Sequence, residues 1–168
     1  MAHHIEKTQR VKVSANKVWD VLKDFGSIER TNTSIETSPI LPGVKSGIGT
    51  KRKCNFYDNS SVVEEIIEYQ EGDSFKMILS EFSMPLKSMY AELKVEKINE
   101  NTCDISMSMD FVVKGGPIGW IMGLLVLRPV LTNKVLKKEL IGLAYHSATG
   151  NLIGRKMPEK EKLTLVLS

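Results

Sequence analysis

The chain has 168 residues, of which 42% are hydrophobic and 26% are charged. This length and balance are typical of one globular domain with a sizeable core. The net charge is only +3, and basic and acidic residues alternate, so nucleic acid is not an expected partner. The opening residues, MAHHIEK, contain no apolar stretch of the secretory type, which predicts a cytoplasmic protein. We assign no function to His3 and His4.

The beginning of the chain predicts a strand followed by a short amphipathic helix. Residues 5–13 favour a strand, and Ser14 is a suitable N-cap because its hydroxyl can accept from free amides of the first turn. The helix is expected over residues 15–23, and Gly26 follows it. Its apolar residues have the i, i+3, i+4, i+7 spacing of one helix face; they are Val18, Val21, Leu22 and Phe25.

A period of two residues replaces the helical period from Thr33 onward. Short loops with turn-forming residues separate the apolar stretches, which is typical of antiparallel hairpins. Six strands are predicted, at residues 34–40, 49–57, 61–70, 74–83, 87–98 and 102–113.

A second helical pattern runs from Pro117 to about Ala148. It contains the longest apolar run of the chain, ten residues over 118–127, which is shorter than the roughly 20 residues of a membrane-spanning helix. Pro129 predicts a kink or break, and Gly150 is a plausible end. The tail, residues 151–168, has no predicted role.

One face of the predicted sheet is apolar and rich in methionine. Alternation directs Met77, Met89, Met107 and Met109 inward together with Leu79. Methionine is flexible and fills irregular space. These residues therefore either complete an ordinary core or line an apolar cavity.

Charged residues fall on the same face. Pairing Phe56 with Val62 across the Asp58-Asn59 turn makes Arg52 and Glu64 diagonal neighbours, and alternation directs Glu81 inward as well. Buried charges need a partner or water. These side chains therefore either lie at sheet ends, form one structural ion pair, or are the polar groups of a ligand pocket.

No known catalytic or metal-binding motif is present. The cysteines, Cys54 and Cys103, are widely separated, and His146 is the one histidine outside the N-terminus. This spacing does not suit a metal site, and no cofactor is predicted. His146 is interpreted as a surface or hydrogen-bonded residue.

Several segments together resemble the START-like, helix-grip superfamily (SRPBCC; polyketide cyclase/dehydrase and lipid-transport proteins). They are VSANKVWDVLKDFGSI at 13–28, GIGTKRKCNF at 47–56, VVEEIIEYQEGDSFKM at 62–77, KGGPIGWIMGLLVLRPVL at 114–131 and LIGLAYHSATG at 140–150. The likeness covers about residues 5–150, and residues 1–150 are taken as a single START-like domain. One departure is ERTNTS at 29–34, in a region where family members often have a tryptophan. The entrance of the ligand cavity is expected to be more polar on that side.

The resemblance implies an α+β fold in which a curved seven-stranded antiparallel sheet wraps around a long, Pro-kinked C-terminal helix. The apolar run would then face the sheet and the mouth of a cavity. Glu64 matches a family glutamate that is often directed inward. In the implied strand order the third and seventh strands are not neighbours, so Cys54 and Cys103 are predicted to be unbonded.

The leading hypothesis is a binding or carrier protein for a small, mostly apolar ligand such as a lipid, isoprenoid or polyketide-like molecule. A cyclase- or dehydratase-type enzyme using cavity carboxylates and an adaptor module for a protein partner are the alternatives, with catalysis less favoured. No transmembrane segment is expected, transient membrane contact is left open, and the oligomeric state is not predicted. The candidate ligand-binding residues are Arg52, Cys54, Phe56, Glu64, Ile66, Met77, Leu79, Glu81, Met89, Met107, Met109, Trp120, Leu136 and Leu140.

Overall fold

Seven antiparallel strands form one sheet in the computed structural model, which describes residues 2–168. The order across the sheet is β1-β7-β6-β5-β4-β3-β2, so that only β1 joins the sheet away from its neighbour in sequence. The strands are β1 (His3–Val11), β2 (Ile35–Thr37), β3 (Lys51–Phe56), β4 (Ser61–Gln70), β5 (Ser74–Ser80), β6 (Leu86–Asn99) and β7 (Thr102–Val113).

The helical segments lie where the sequence predicts them. Helix α1 (Ala15–Leu22) begins at Ser14, whose hydroxyl accepts from the backbone N–H of Lys17 at 3.4 Å. A 3₁₀ helix (Phe25–Arg30) follows. The long helix (Gly116–Thr149) ends at Gly150, which has a φ of 72° and donates its N–H to the His146 carbonyl. This is the left-handed C-terminal residue that favours glycine.

The long helix continues through Pro129. Wider π-helical turns lie on either side of it, at Gly123–Leu127 and Leu131–Leu136. The Arg128 N–H donates to the carbonyl of Gly123, five residues back. The irregularity expected at the proline thus appears as a widened hydrogen-bond pattern and not as a chain break, because a π-turn absorbs a missing i→i−4 bond.

The alternating strands bury the face that the sequence predicts. In β7, every second side chain from Cys103 to Val113 is buried and the others are partly exposed. The inward-facing residues of β5, β6 and β7 join α1 and the second half of the long helix in one core. The sheet therefore has one packed face and one wet face, as expected for an antiparallel sheet covered on one side.

The register of the β3–β4 hairpin differs from the prediction by two residues. Phe56 donates its N–H to Ser60, Arg52 lies directly opposite Glu64, and Cys54 lies opposite Val62. The predicted pairing of Phe56 with Val62 is wrong because the turn is tighter, with Asn59 at a left-handed φ of 67°. Three-residue loops with such a residue are common in hairpins. Because the error is an even number, both charges remain on the inner face.

Among the predicted strands, β5 and β2 are shorter than expected. β5 ends at Ser80, and Glu81 has a φ of 54° and an exposed side chain. The prediction that Glu81 points inward with Leu79 is therefore wrong, because the left-handed turn ends the alternation. β2 covers only Ile35–Thr37, and Ile40 forms an isolated bridge with Arg52.

The apolar run of the long helix does not face the sheet as predicted. Ile118 is 81% exposed and Leu125 is 68% exposed. The buried positions of this segment are instead Gly119 and Gly123. The helix is packed against the sheet through its small residues, and its larger side chains point away.

The tail packs against the domain. A short tail helix (Lys160–Val166) is followed by Leu167, which forms a bridge with Val11 at the end of β1. Val166 and Ile153 pack on Tyr145 of the long helix. These contacts cover part of an edge strand.

Both cysteines are free and buried, which confirms the predicted absence of a disulfide. They belong to β3 and β7, which are separated in the sheet by β4, β5 and β6. Burial raises the pKa of the Cys103 thiol to about 11. We expect a thiol reagent to find two free thiols in denaturing, non-reducing buffer and to react slowly with the native protein. A denatured monomer with no reactive thiol would contradict the strand order.

Candidate functional site

A buried ion pair lies on the inner face of β3 and β4. Arg52 is 3% exposed, and its Nε donates to Glu64 Oε2 at 2.5 Å. Nη1 of Arg52 donates to the Phe25 carbonyl at 2.7 Å, and the guanidinium carbon lies 4.0 Å from the centre of the Phe25 ring. The sheet thus supplies both charges, and the start of the 3₁₀ helix covers them.

The guanidinium group is not fully satisfied. Nη2 of Arg52 is buried and has no hydrogen-bond partner among residues 2–168. Burial is the largest single effect and opposes the charge of Arg52, but the attraction of the nearby acidic groups, Glu64 foremost, together with the hydrogen bond to Glu64 outweighs it, and the pKa of Arg52 is raised. The group therefore remains a cation with one free donor, which favours an oxygen acceptor beside it.

A second buried carboxyl group lies near this pair. Glu139 of the long helix is 4% exposed; it accepts from Thr31 Oγ1 at 3.5 Å and also from Asn32 Nδ2. Burial raises the pKa of Glu139 to about 7, although Asn32 and Arg52 favour the charged form. Near neutral pH this carboxyl group can therefore both accept and release a proton.

A small void lies between Arg52 and Glu139. Its volume is about 20 Å³, which is enough for one water molecule. Apart from Arg52 and Glu139 it is lined by Val21, Leu22, Asp24, Ser27, Ile28, Thr31, Phe75, Leu93 and Leu143. Two depressions of about 410 and 420 Å³ are found on the sheet's outer side, where Glu92 and Lys94 line both. Of these three spaces, the inner void combines apolar walls with buried charge.

Cys54 adjoins the ion pair but is unsuited to nucleophilic chemistry. Its Sγ–H donates to Glu64 Oε2 at 3.5 Å. Burial and the negative charge of Glu64 both raise the pKa of the Cys54 thiol. The thiolate, which is the nucleophile, is therefore disfavoured.

The other predicted site residues are distributed over three environments. Phe56 is half-buried against the core, and Glu81 is exposed. Trp120 is half-buried and stacks on His3, with ring centres 5.6 Å apart. The remaining ones are packed in the core; they are Ile66, Met77, Leu79, Met89, Met107, Met109, Leu136 and Leu140. Of the predicted set, Arg52 is the one that lines the void.

Sequence reasoning missed Glu139 and its two partners. The signal for Glu139 was present, because it lies three residues after Leu136 and four before Leu143, on the helix face that is buried. Thr31 and Asn32 belong to ERTNTS, the segment that departs from the family pattern. Nothing in their spacing from Glu139 indicates the contact, which spans more than a hundred residues.

The raised pKa of Glu139 predicts a pH dependence of stability. Between the ordinary value of 4.5 and about 7, the folded state holds a proton that the unfolded state has released. Stability should therefore fall as the pH rises through this interval, by roughly 1 kcal/mol per pH unit. Urea denaturation at several pH values should show this fall in the wild type and its loss in Glu139→Gln. Parallel pH profiles for the two proteins would contradict the assignment.

Known structures share this arrangement of sheet and long helix. Norcoclaurine synthase from Thalictrum flavum, a point mutant in complex with a transition-state analogue, superposes with a TM-score of 0.70 at 17% identity, over 89% of this chain and 96% of that one. An aromatase/cyclase from a Streptomyces species superposes with a TM-score of 0.67 at 15% identity, over 91% and 100%. Ara h 8.0201 superposes with a TM-score of 0.67 at 18% identity, over 89% and 99%. At these identities the likeness establishes the fold.

The fold and the gripped helix define a protein of the helix-grip class, as the sequence predicts. The family model described as polyketide cyclase / dehydrase and lipid transport matches residues 2–145. The chain belongs to this family. No curated protein matches its sequence.

Proposed function

We propose that the protein binds a small, mostly apolar molecule that carries an oxygen acceptor, at the void between Arg52 and Glu139. The observation that carries this proposal is the buried, unpartnered Nη2 of Arg52 in a pocket with otherwise largely apolar walls. An apolar body with a few fixing polar groups is the usual composition of a ligand site. Membership of a family described by cyclisation, dehydration and lipid transport supports the same class of ligand.

Binding requires the void to widen. A volume of about 20 Å³ is far below the several hundred Å³ of ordinary ligand pockets. The wall formed by Val21 and Ile28 is only half-buried, and the adjacent Asp24 is exposed. Outward movement of α1 and the 3₁₀ helix would enlarge the space while the sheet and the ion pair stay in place.

An apolar fluorescent probe with an oxyanion, anilinonaphthalene sulfonate, should bind the native protein saturably. We expect 2-naphthol to displace the probe at least about tenfold better than naphthalene, because the naphthol oxygen can accept from Arg52 and a hydrogen bond to a charged group contributes about 1.5–3 kcal/mol. Native mass spectrometry of the purified protein should also reveal a co-purified apolar molecule.

A bulky side chain in the wall provides the control. Val21→Trp should fill the void and abolish probe binding, whereas Leu165→Trp, at a residue 74% exposed on the tail helix, should not. Equal competition by naphthol and naphthalene, or unchanged probe binding in Val21→Trp, would contradict the proposed site. The adaptor alternative would then be favoured for this protein, and the inward-facing methionines would be ordinary core residues.

Glu139 supports a second candidate, acid–base catalysis on a bound ketone. Its carboxylate would take a proton from the carbon beside the carbonyl, while the Arg52 cation stabilises the resulting enolate oxygen. The proton then returns from Glu139 to carbon. A carboxyl group with a pKa of about 7 suits both steps near neutral pH.

Hydrogen–deuterium exchange separates this candidate from simple binding. With 1-tetralone in D2O, catalysis predicts exchange of the protons beside the carbonyl, followed by NMR and accelerating as the pH rises through 7. Glu139→Gln should lose the exchange and retain probe binding. Equal exchange in the wild type and the variant would leave binding as the function.

A further inference from the structure

The first half of the long helix presents a large apolar surface to the outside. By length and composition the long helix could cross a membrane, and the apolar 18-residue segment that gives it this property is only 17% buried. The corresponding segment of a core helix would be mostly buried. The exposed apolar side chains are Ile118, Ile121, Met122, Leu125, Val126 and Val130.

The glycines on the opposite side keep this surface exposed. A Cβ on Gly119 would lie 1.9 Å from the Lys114 carbonyl oxygen, and one on Gly123 would lie 2.4 Å from His3 Nε2. Such distances leave no room for a side chain, so the helix cannot turn about its axis to bury its larger residues. Stacking of Trp120 on His3 also holds this orientation.

The same segment is strongly basic. Residues 114–138 contain five basic residues and no acidic one, so the remainder of a chain with net charge +3 carries −2. None of the five forms an ion pair within residues 2–168. They are Lys114, Arg128, Lys134, Lys137 and Lys138.

We propose that this surface, defined by residues 114–138, docks on the anionic face of a lipid bilayer. A helix with an apolar side and flanking basic residues lies in the plane of a membrane, held by apolar burial and by attraction to anionic headgroups. A second copy of the chain is a poorer occupant, because two segments of charge +5 would face each other. A spanning orientation is opposed by Leu136, Leu140 and Leu143, which the sheet buries.

This inference does not depend on the proposed ligand site. The void is lined by α1, the 3₁₀ helix and, on the long helix, Glu139 and Leu143, whereas the docking surface ends at residue 138. Loss of probe binding and loss of membrane binding can therefore be separated experimentally.

Vesicle sedimentation tests the docking surface with the full chain. The protein should pellet with vesicles containing phosphatidylglycerol, pellet weakly with phosphatidylcholine alone, and be released by salt. Lys134→Gln/Lys138→Gln should weaken partitioning roughly 25-fold, at about fivefold per lysine. Ile118→Ser/Leu125→Ser should weaken it at least tenfold through lost apolar burial.

Matched variants elsewhere on the surface are the controls. Lys160→Gln/Lys162→Gln removes two exposed lysines of the tail, and Ile48→Ser/Leu165→Ser removes two exposed apolar residues; both should bind vesicles like the wild type. Circular dichroism verifies that each variant is folded. Equal partitioning of surface and control variants overturns the proposal. Resistance of the bound protein to alkaline carbonate extraction would indicate a spanning helix and would also overturn it. The same holds if the protein does not bind vesicles but forms a dimer or protein complex that Ile118→Ser/Leu125→Ser loses.

Discussion

Arg52→Met should lower the free energy of unfolding by about 3–5 kcal/mol, the usual loss when one partner of a buried ion pair is removed. The substitution leaves Glu64 without its cation in a site where Arg52 is only 3% exposed. It also removes the hydrogen bond to the Phe25 carbonyl and the contact with the Phe25 ring. Urea denaturation at neutral pH measures the loss.

The double variant Arg52→Met/Glu64→Met separates the lost pair from the stranded charge. It should recover part of the stability, because both polar groups are replaced by apolar ones of similar size. Arg10→Met is the matched control, since Arg10 pairs with Asp104 at 2.8 Å on the surface and exposed pairs contribute little. Single variants of Arg52 and Glu64 within about 0.5 kcal/mol of the wild type would show that the pair is solvated.

Leu140→Ala should cost about 2–5 kcal/mol, as for other leucines truncated in a core. Leu140 is 1% exposed and does not line the void, so the lost side chain leaves a new cavity. Leu165→Ala, at a residue 74% exposed, should stay within about 0.5 kcal/mol of the wild type. Thermal or urea unfolding of both variants makes the comparison.

Probe binding provides a second measurement on Leu140→Ala. If the helix and sheet already separate around Leu140 in solution, little packing is lost, and the cost should fall to the low end while probe affinity changes clearly. A full core-type loss without any saturable probe site in the wild type would contradict the ligand-binding proposal. The inward methionines would then be ordinary core residues.

Local sequence patterns determined most of the fold. The strict alternation in β6 and β7 identifies the buried face because successive side chains of a strand point to opposite sides. The cap at Ser14 and the end at Gly150 follow from local hydrogen bonding and backbone conformation. Such features depend on residues close together in the chain, and the structure shows them where the sequence predicts them.

The conformations of certain turns and the contacts between distant segments were decided only in the folded structure. The register that sets Arg52 opposite Glu64 depends on the left-handed conformation of Asn59, which asparagine permits but does not require. Glu81 left the inner face for the same kind of reason, a local turn that ended the strand. Glu139 belongs to the site because residues 31 and 32 approach it across the fold.

The apolar run of the long helix shows most clearly which features the sequence determines and which depend on the tertiary structure. Its composition and helical period are readable from the sequence alone, and so are its glycines and basic residues. Which side of the helix meets the sheet depends on where His3 and Val113 lie relative to Gly119 and Gly123. Periodicity predicts that a helix has an apolar side, but close packing against the neighbouring strands determines whether that side is buried.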